Sequence, residues 1–371
     1  MRKVRFGIIG TGMMGLEHIA NLKLLPEAEI TAIADPTPTS IEWARGLLGS
    51  APVAAYDSAQ AMVAGGGIDA VVVVSPNHTH RQVLDVLFQT DLHILCEKPL
   101  CSDPEDAAKI AAQAARHKGV FWVGMEYRFM PPASRFVADI HAGRVGRLVM
   151  LAMREHRFPF LHKVGNWNRF ARNTGGTMVE KCCHFFDLMR HIVRAEPVRV
   201  YCSGGQDVNH LDERYDGERP DILDNSYTVV DFDNGVRALL DLSMFAEGSE
   251  EQEEIAAVGD QAKLEVFVPG SELVFSPRVG FGAPKKVERE TIGVDAAVLQ
   301  AGHHHGATYY QHKAFLDAIL RGAPVQVSAY DGWMAVAMGA AAERSAREKR
   351  VVEMAEILAP ARGYFNAAAG V

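Results

Sequence analysis

The stretch from Val4 to Leu25 constrains the fold more than any other part of the chain. An apolar, β-branched run, Val4–Ile9, leads directly into the letters GTGMMG, and apolar residues at helical spacing follow. A strand, a glycine-rich turn and a helix in this order are typical of the first βαβ unit of a dinucleotide-binding fold. The sequence therefore predicts that the chain opens on a parallel, doubly wound sheet, with a ligand at the helix N-terminus.

The three glycines of this pattern have separate predicted roles. Gly10 allows a tight turn, Gly12 lets the backbone approach a pyrophosphate, and Gly15 lets the helix pack on the strand. Met13 and Met14 lie at the helix N-terminus, where free N–H groups favour an anion, and are candidates for cofactor contact as well as for packing. The alternative is a turn that binds nothing, but the flanking strand and helix favour a dinucleotide.

Asp35 indicates which dinucleotide is expected. It lies twenty residues beyond Gly15, at the end of the second predicted strand, Ile30–Ala34. A carboxylate at this place accepts hydrogen bonds from the adenine ribose hydroxyls and repels a 2′-phosphate. We therefore predict NAD as the cofactor, with NADP as the less favoured alternative.

Strands and helices continue to alternate as far as Val123. Ile68–Val74 is apolar almost throughout, as expected of a central parallel strand covered on both faces. Because the carboxyl ends of parallel strands meet at one edge, the loops after this strand and after His93–Cys96 should face one crevice. These two loops contribute five candidates for cofactor contact: Ser75, Asn77, His80, Glu97 and Lys98.

Lys98 is also a candidate acid–base group. An isolated loop lysine is usually solvated, but Lys98 follows an apolar strand and precedes Pro99, which restricts its backbone. Burial or crowding lowers the pKa of a lysine toward the range in which it exchanges protons. The sequence therefore predicts a lowered pKa for Lys98.

The pattern changes after Met125. β-rich stretches follow one another without regular intervening helices, and Asp233-Asn234-Gly235 has the form of a hairpin turn, so we predict antiparallel pairing. The sequence thus divides into a dinucleotide-binding domain, residues 1–125, and an α+β substrate and oligomerisation domain, residues 126–371, whose last helices are candidates for packing back on the first domain. The Ala/Gly-rich tail from Ala359 is expected to be loosely held.

One predicted helix, Thr177–Val193, carries a cluster of polar side chains. Glu180, His184 and Asp187 follow at i, i+4 and i+7, so they should share one face. A carboxylate one turn from an imidazole orients it and supports its role as a general base. The alternative is an interior histidine with satisfied hydrogen bonds beside a surface glutamate, and spacing alone does not choose between them.

Composition excludes several other classes of protein. The chain has 371 residues and a formal charge of −8, which argues against nucleic acid or an anionic membrane as the main partner. No apolar run approaches the roughly 18 residues of a membrane helix, and no signal peptide is apparent, so we expect a cytoplasmic protein. Five cysteines, an odd number, do not form a disulfide framework.

A metal site is a weaker alternative. Cys182, Cys183 and His184 adjoin one another, but neighbouring helical side chains diverge by roughly 100° and cannot converge on zinc, so we predict no metal. The triplet His303–His305 lies between two glycines and either lines the pocket or is exposed. We take His304 as a candidate for substrate contact.

The combination of motifs resembles the Gfo/Idh/MocA oxidoreductase family over nearly the whole chain. The motifs are GTGMMG, Asp35, SPNHTH, CEKPL, EYRFMP and GGTMVEKCCHFFDLMRH. The resemblance implies a Rossmann domain followed by a large open antiparallel sheet that packs face to face in dimers or tetramers. It also implies that Lys98 and His184 are catalytic, with Glu180 where the family often has Asp. Asn77 and His80 match the loop beside the nicotinamide, and Trp167 and Arg169 match a pair near the cofactor and substrate.

The resemblance further implies oxidation of a carbinol in a cyclitol or sugar with NAD(P). We predict a neutral ring polyol, as for an inositol 2-dehydrogenase, with a pyranose or glycoside dehydrogenase as the close alternative. A sensor that binds NAD without catalysis is less favoured, because both catalytic positions are filled. The predicted substrate contacts are Lys98, Glu126, Arg154, His156, Trp167, Glu180, His184 and His304.

Overall fold

The first sheet is a six-stranded parallel sheet. The computed structural model describes residues 3–361 together with 363 and 364, so the tail beyond residue 364 lies outside the described residues. The strand order is β3-β2-β1-β4-β5-β6, with every neighbouring pair parallel. The strands are β1 (Val4–Ile9), β2 (Ala28–Ala34), β3 (Ala54–Tyr56), β4 (Ala70–Val73), β5 (His93–Glu97) and β6 (Phe121–Gly124).

Five helices connect these strands and cover both faces of the sheet. They are α1 (Met13–Leu22), α2 (Pro38–Leu48), α3 (Ala59–Gly65), α4 (His80–Leu87) and α5 (Pro104–Ala114). The strand order reverses between β1 and β4, and ligands of such sheets bind in the crevice at that point. The glycine loop and the loop after β4 therefore lie side by side, as the sequence predicts.

The second sheet has nine strands in the order β14-β13-β12-β11-β7-β10-β9-β8-β15. Most neighbours are antiparallel, and the predicted hairpin at Asn234 joins β9 to β10, with Gly235 at φ 85°. One prediction was wrong: the central pair β7–β10 is parallel. The strands are β7 (Leu148–His156), β8 (Pro197–Gly205), β9 (Asn225–Phe232), β10 (Arg237–Ser243), β11 (Glu253–Gly259), β12 (Ala262–Val268), β13 (Glu272–Pro277), β14 (Glu288–Thr291) and β15 (Val352–Glu353).

Helices cover only one face of this sheet. Alternate residues of the central strands point into the core, such as Leu240 and Val230, while their neighbours Leu239 and Val229 remain exposed. The helices of this part of the chain are α6 (Pro131–His141), α7 (Ala171–Thr174), α8 (Thr177–Glu180), α9 (Cys183–Val193), α10 (Ala296–Gln300), α11 (Ala307–Arg321), α12 (Ala329–Glu348) and α13 (Met354–Leu358).

The two long C-terminal helices return to the first sheet. Phe315 of α11 packs against Phe6 of β1 and Trp122 of β6, with ring centroids 6.3 and 6.1 Å apart. The amide of Val123 donates a hydrogen bond to the carbonyl of Val327, just before α12. Among the described residues, no helix is both long enough and apolar enough to span a membrane.

Candidate active site

The glycine loop leaves room for a ligand at one glycine only. A Cβ on Gly10, whose φ is +97°, would lie 2.6 Å from the backbone of Val74, and a Cβ on Gly15 would overlap the carbonyl oxygen of Gly10. A Cβ on Gly12 would have no heavy atom within 4 Å. The first and third glycines therefore hold the loop on the sheet and α1, while the second faces open space.

The start of α1 fits an anion. Gly12 is the N-cap of α1, and no side chain accepts a hydrogen bond from the first turn of the helix. That turn also carries no acidic residue, so no carboxylate of its own competes for the backbone amides at Met13 and Met14. Met13 is 47% exposed at this place. Free amides together with the helix dipole suit a pyrophosphate, which makes the loop a fit for a dinucleotide.

Asp35 is held at the edge of this loop. Its carboxylate accepts hydrogen bonds from the amides of Thr11 and Thr37, both at 2.8 Å. The negative charge is thereby fixed beside the glycine loop, where the sequence predicts contact with a ribose.

The loops after β4 and β5 are tied together by a buried histidine. His80 Nε2 lies 2.9 Å from the carbonyl oxygen of Ser75, and Nδ1 lies 3.0 Å from that of Pro99. Glu97 is also buried; it accepts hydrogen bonds from the Lys98 amide and from His18, each at 3.1 Å. The side chains of His80 and Glu97 thus brace the loops from within, and their predicted contact with the cofactor stays a prediction.

Lys98 projects from this edge toward the start of α8. Its Nζ donates to the carbonyl oxygen of Glu180 at 3.5 Å. Burial lowers the pKa of Lys98, but the surrounding negative charges, with Glu180 first and Glu126 among them, more than offset it and raise the pKa above its ordinary value. The expectation of a lowered pKa was therefore wrong, and Lys98 stays charged at neutral pH.

The helix that carries His184 is interrupted, which separates His184 from Glu180. The amide of Cys182 donates to the carbonyl of Thr177, five residues earlier, so this turn holds one extra residue. α8 ends at Glu180 and α9 begins at Cys183. The prediction of one shared face was wrong, because an extra residue rotates the following helix by roughly 100°.

Each carboxylate of the predicted cluster has a different partner. Glu180 accepts hydrogen bonds from Asn77 and, at 3.1 Å, from Lys163. Burial raises the pKa of Glu180, but the charges of Lys163 and Lys98 lower it by more. The net shift of the pKa is downward, so Glu180 is ionised. Asp187 accepts from Arg128 Nε at 2.6 Å, on the far side of α9.

His184 is a buried imidazole near the charges of two lysines. It is 1% exposed and stacks on Tyr127 with ring centroids 4.1 Å apart and an interplanar angle of 9°. Burial, followed by the charges of Lys98 and Lys181, holds its pKa well below the usual range. His184 is therefore a neutral imidazole, the form that accepts a proton.

Glu126 is the carboxylate nearest His184. It lies in the 3₁₀ helix Glu126–Phe129 after β6, and its Oε1 is 3.5 Å from His184 Nε2. Neither carboxylate oxygen has a hydrogen-bond partner among the described residues. Burial, followed by the charge of Glu97, raises the pKa of Glu126 to about 7.

Comparison with known proteins identifies the family. The Gfo/Idh/MocA model described as "Oxidoreductase family, NAD-binding Rossmann fold" matches residues 4–125, and the model of its "C-terminal alpha/beta domain" matches residues 137–354. The chain belongs to the Gfo/Idh/MocA oxidoreductase family. It is thus an oxidoreductase with an NAD-binding Rossmann domain, and the predicted fold class and cofactor are confirmed.

Several relatives match this oxidoreductase along nearly its whole length. Myo-inositol 2-dehydrogenase of Thermotoga maritima is 25% identical, covering 96% of this chain and 100% of the relative. Inositol 2-dehydrogenase of Rhizobium meliloti is 27% identical, covering 95% and 99%. Among solved structures, levoglucosan dehydrogenase with NADH superimposes with a TM-score of 0.82 at 19% identity, covering 95% and 99%, which shows a shared fold.

Strand β7 presents different residues to the site than the sequence predicts. Arg154 pairs with Glu254, and His156 lies 3.2 Å from Asp241, so both lie on the open face of the sheet, away from His184. Their neighbour Glu155 points inward, as alternation along a strand requires. The assignment of Arg154 and His156 to the substrate was therefore wrong for the single chain.

Behind His184 the inward side of β7 builds a cluster that the sequence prediction missed. Lys181 Nζ lies 2.8 Å from Glu155 and donates to the Tyr127 hydroxyl at 2.6 Å, and that hydroxyl donates to Glu253 at 3.2 Å. Burial, and then Glu155, raises the pKa of Glu253 to about 7. The cluster could have been predicted only by knowing which alternate residues of β7 and of its partner strand β11 point inward.

The remaining predicted residues, Trp167, Arg169 and His304, each have a partner of their own. Lys163 lies over the Trp167 ring, 4.5 Å from its centroid. Arg169 is buried and donates to Glu213 at 2.8 Å, which fixes the loop before β9. His304 Nδ1 lies 2.7 Å from Glu17 of α1.

Metal binding has no support in the described part of the chain. No group of three or more His, Cys, Asp or Glu side chains there is arranged to hold an ion. All five cysteines are free and buried.

Proposed function

We propose that this oxidoreductase oxidises a ring carbinol of a neutral cyclitol or sugar with NAD, in the manner of an inositol 2-dehydrogenase. One observation carries the proposal: Lys98, which follows β5 and stays charged, lies close enough to the buried neutral His184 for its charge to lower the pKa of that imidazole. A hydroxyl group that loses its proton needs a base on one side and a positive charge near its oxygen.

The roles follow from the protonation states. His184 accepts the hydroxyl proton, because its imidazole is neutral. Lys98 donates a hydrogen bond to the same oxygen and stabilises its developing negative charge. NAD, when bound, would supply the hydride acceptor. The loop at Gly12 and the amides of α1 would hold its pyrophosphate, and Asp35 would hold its ribose.

A neutral substrate fits the charge balance. Lys163 and Lys181 are already paired with Glu180 and Glu155, so they do not form a free cationic cluster for a phosphate. The inositol 2-dehydrogenase relatives support a cyclitol.

A substrate panel tests this proposal. NADH formation is followed by absorbance with myo- and scyllo-inositol, glucose, galactose, simple glycosides, sugar phosphates and sugar acids. We expect the highest kcat/KM with a neutral ring polyol. A preference for a glycoside selects the pyranose alternative, and a preference for a phosphate or an acid contradicts the neutral pocket.

We also propose that two copies associate through the open face of the second sheet. This face carries exposed apolar side chains of four central strands: Met150, Tyr201, Tyr227, Val229 and Leu239. Contiguous exposed apolar patches of this kind mark protein interfaces. The buried free cysteines fit a reducing compartment, which supports a cytoplasmic location.

A further inference from the structure

We infer that Glu126, and not Glu180, is the group that takes the proton from His184 while the substrate is oxidised. The inference rests on the proposed function, since it concerns the second step of the same proton transfer. It assigns Glu126 as a positioning residue that acts through His184.

Geometry favours Glu126 over every other carboxylate near the imidazole. Its Oε1 is 3.5 Å from His184 Nε2, which is one small side-chain adjustment from a hydrogen bond. Stacking on Tyr127 fixes the plane of the ring, so Nε2 faces Glu126. The other ring nitrogen, Nδ1, has no hydrogen-bond partner among the described residues. Nδ1 is also fully buried, so proton exchange falls to Nε2, the nitrogen that faces Glu126.

Glu180 is committed elsewhere. Its carboxylate oxygens are taken by Asn77 and Lys163, and its backbone carbonyl accepts from Lys98. The extra residue in the turn before α9 directs it away from His184. Glu126, by contrast, is 1% exposed with both oxygens unpaired, an arrangement that costs free energy unless another group uses them.

The proton transfer balances without further groups. The substrate hydroxyl gives its proton to Nε2 of the neutral His184, and the resulting imidazolium passes a proton from Nε2 to Oε1 of Glu126. The two C–H electrons leave with the hydrogen as hydride to NAD, and the carbinol becomes a carbonyl. Glu126 ends as a carboxylic acid and releases its proton to water when the product leaves, so one substrate yields one carbonyl, one NADH and one proton.

The charges around Glu126 set the pH range in which it accepts a proton from His184. The titratable groups that act on it or lie near it are Glu97 at the end of β5, Lys98 after that strand, Cys183 and His184 on α9, His304 before α11, and Tyr127 beside it. Burial and then Glu97 favour the neutral acid, while His304 and Lys98 favour the carboxylate, which leaves the pKa at about 7. Because the carboxylate is the proton acceptor, oxidation should slow as the pH falls through about 7.

The test is the pH profile of kcat for polyol oxidation in wild type and Glu126→Gln. The substituted amide keeps the shape but cannot take a proton, so we expect kcat above pH 8 to fall on the order of 10²-fold and the acid limb near pH 7 to disappear. NADH binding, followed by fluorescence, should stay within about twofold of wild type. Glu180→Gln is the matched control: whatever it does to kcat, it should keep the acid limb.

The outcomes separate this inference from the proposed function. If wild type oxidises no polyol, the proposed function fails. If wild type is active, the proposed function stands. The assignment of Glu126 is then wrong in either of two cases: Glu126→Gln keeps both its rate and its acid limb, or Glu180→Gln loses the acid limb. Should Glu126→Gln fail to fold, Glu126→Asp decides: it retains a carboxyl at a different distance, so the limb must shift, and an unshifted limb overturns the inference.

Discussion

Two alanine substitutions in the glycine loop should separate cofactor binding from folding. Gly12 and Gly15 are three residues apart in the same motif, yet their surroundings differ completely. An added Cβ at Gly12 meets no atom within 4 Å, whereas one at Gly15 overlaps the carbonyl oxygen of Gly10. Alanine at Gly12 therefore tests the open space in front of the loop, and alanine at Gly15 tests the packing of the loop against α1.

The expected magnitudes follow from these contacts. At Gly15, overlap with the backbone costs about 1–3 kcal/mol, and the better helix propensity of alanine returns about 1 kcal/mol, so we expect a net loss of up to about 2 kcal/mol. At Gly12, φ −72° and ψ −162° are extended values that alanine adopts freely, so stability should change by less than about 0.5 kcal/mol.

Cofactor affinity should fall in both variants, for different reasons. The methyl group of Gly12→Ala occupies the space where the pyrophosphate must approach, so we expect the Kd for NADH to rise at least about 10-fold, which is about 1.4 kcal/mol. Gly15→Ala displaces α1 and its free amides, so binding weakens together with stability.

The assays are denaturant unfolding for stability and NADH fluorescence titration for affinity. The reasoning is refuted if Gly12→Ala binds NADH as wild type does, because the pyrophosphate would then not approach this glycine. It is also refuted if Gly12→Ala is the less stable of the two variants.

Two further predictions concern cofactor choice and assembly. Asp35→Ser combined with an arginine in place of Thr37 should shift the ratio of kcat/KM toward NADP, because the fixed negative charge beside the loop is removed; a wild type that already prefers NADP contradicts this. Tyr227→Lys on the open sheet face should lower the mass measured by light scattering, whereas Trp43→Lys, a change of another exposed aromatic residue on α2, should not. An unchanged mass for Tyr227→Lys argues against that interface.

The first sheet could be predicted closely because its signals are local. The strand Val4–Ile9 has the predicted bounds, and β4 and β5 differ from the prediction by one or two residues at their ends. β3 and α3 were missed, since a strand of three residues carries too little periodicity to stand out. Parallel pairing of β7 with β10 joins segments far apart in sequence, and no local pattern specifies it.

The site was harder to predict, because side-chain partners depend on small backbone irregularities. The spacing of Glu180 and His184 predicts one helical face, and a single extra residue at the turn before Cys183 removes it. Arg154 and His156 illustrate the same limit on a strand. Successive side chains of a strand point to opposite faces, so an error of one residue moves a predicted pocket residue to the open face of the sheet. The charge of Lys98 acts on His184, but the carboxylate 3.5 Å from His184 Nε2 is that of Glu126 and not that of Glu180.

The central claim is that Lys98 and His184 perform the chemistry on a carbinol while the first domain holds NAD. The most direct measurement is single-turnover formation of NADH with the best polyol of the panel, in wild type, Lys98→Ala and His184→Ala, alongside NADH titration of the same samples. We predict that each variant binds NADH within about twofold of wild type and forms product roughly 10²–10⁴-fold more slowly. A near-wild-type rate in either variant would contradict the claim for that residue.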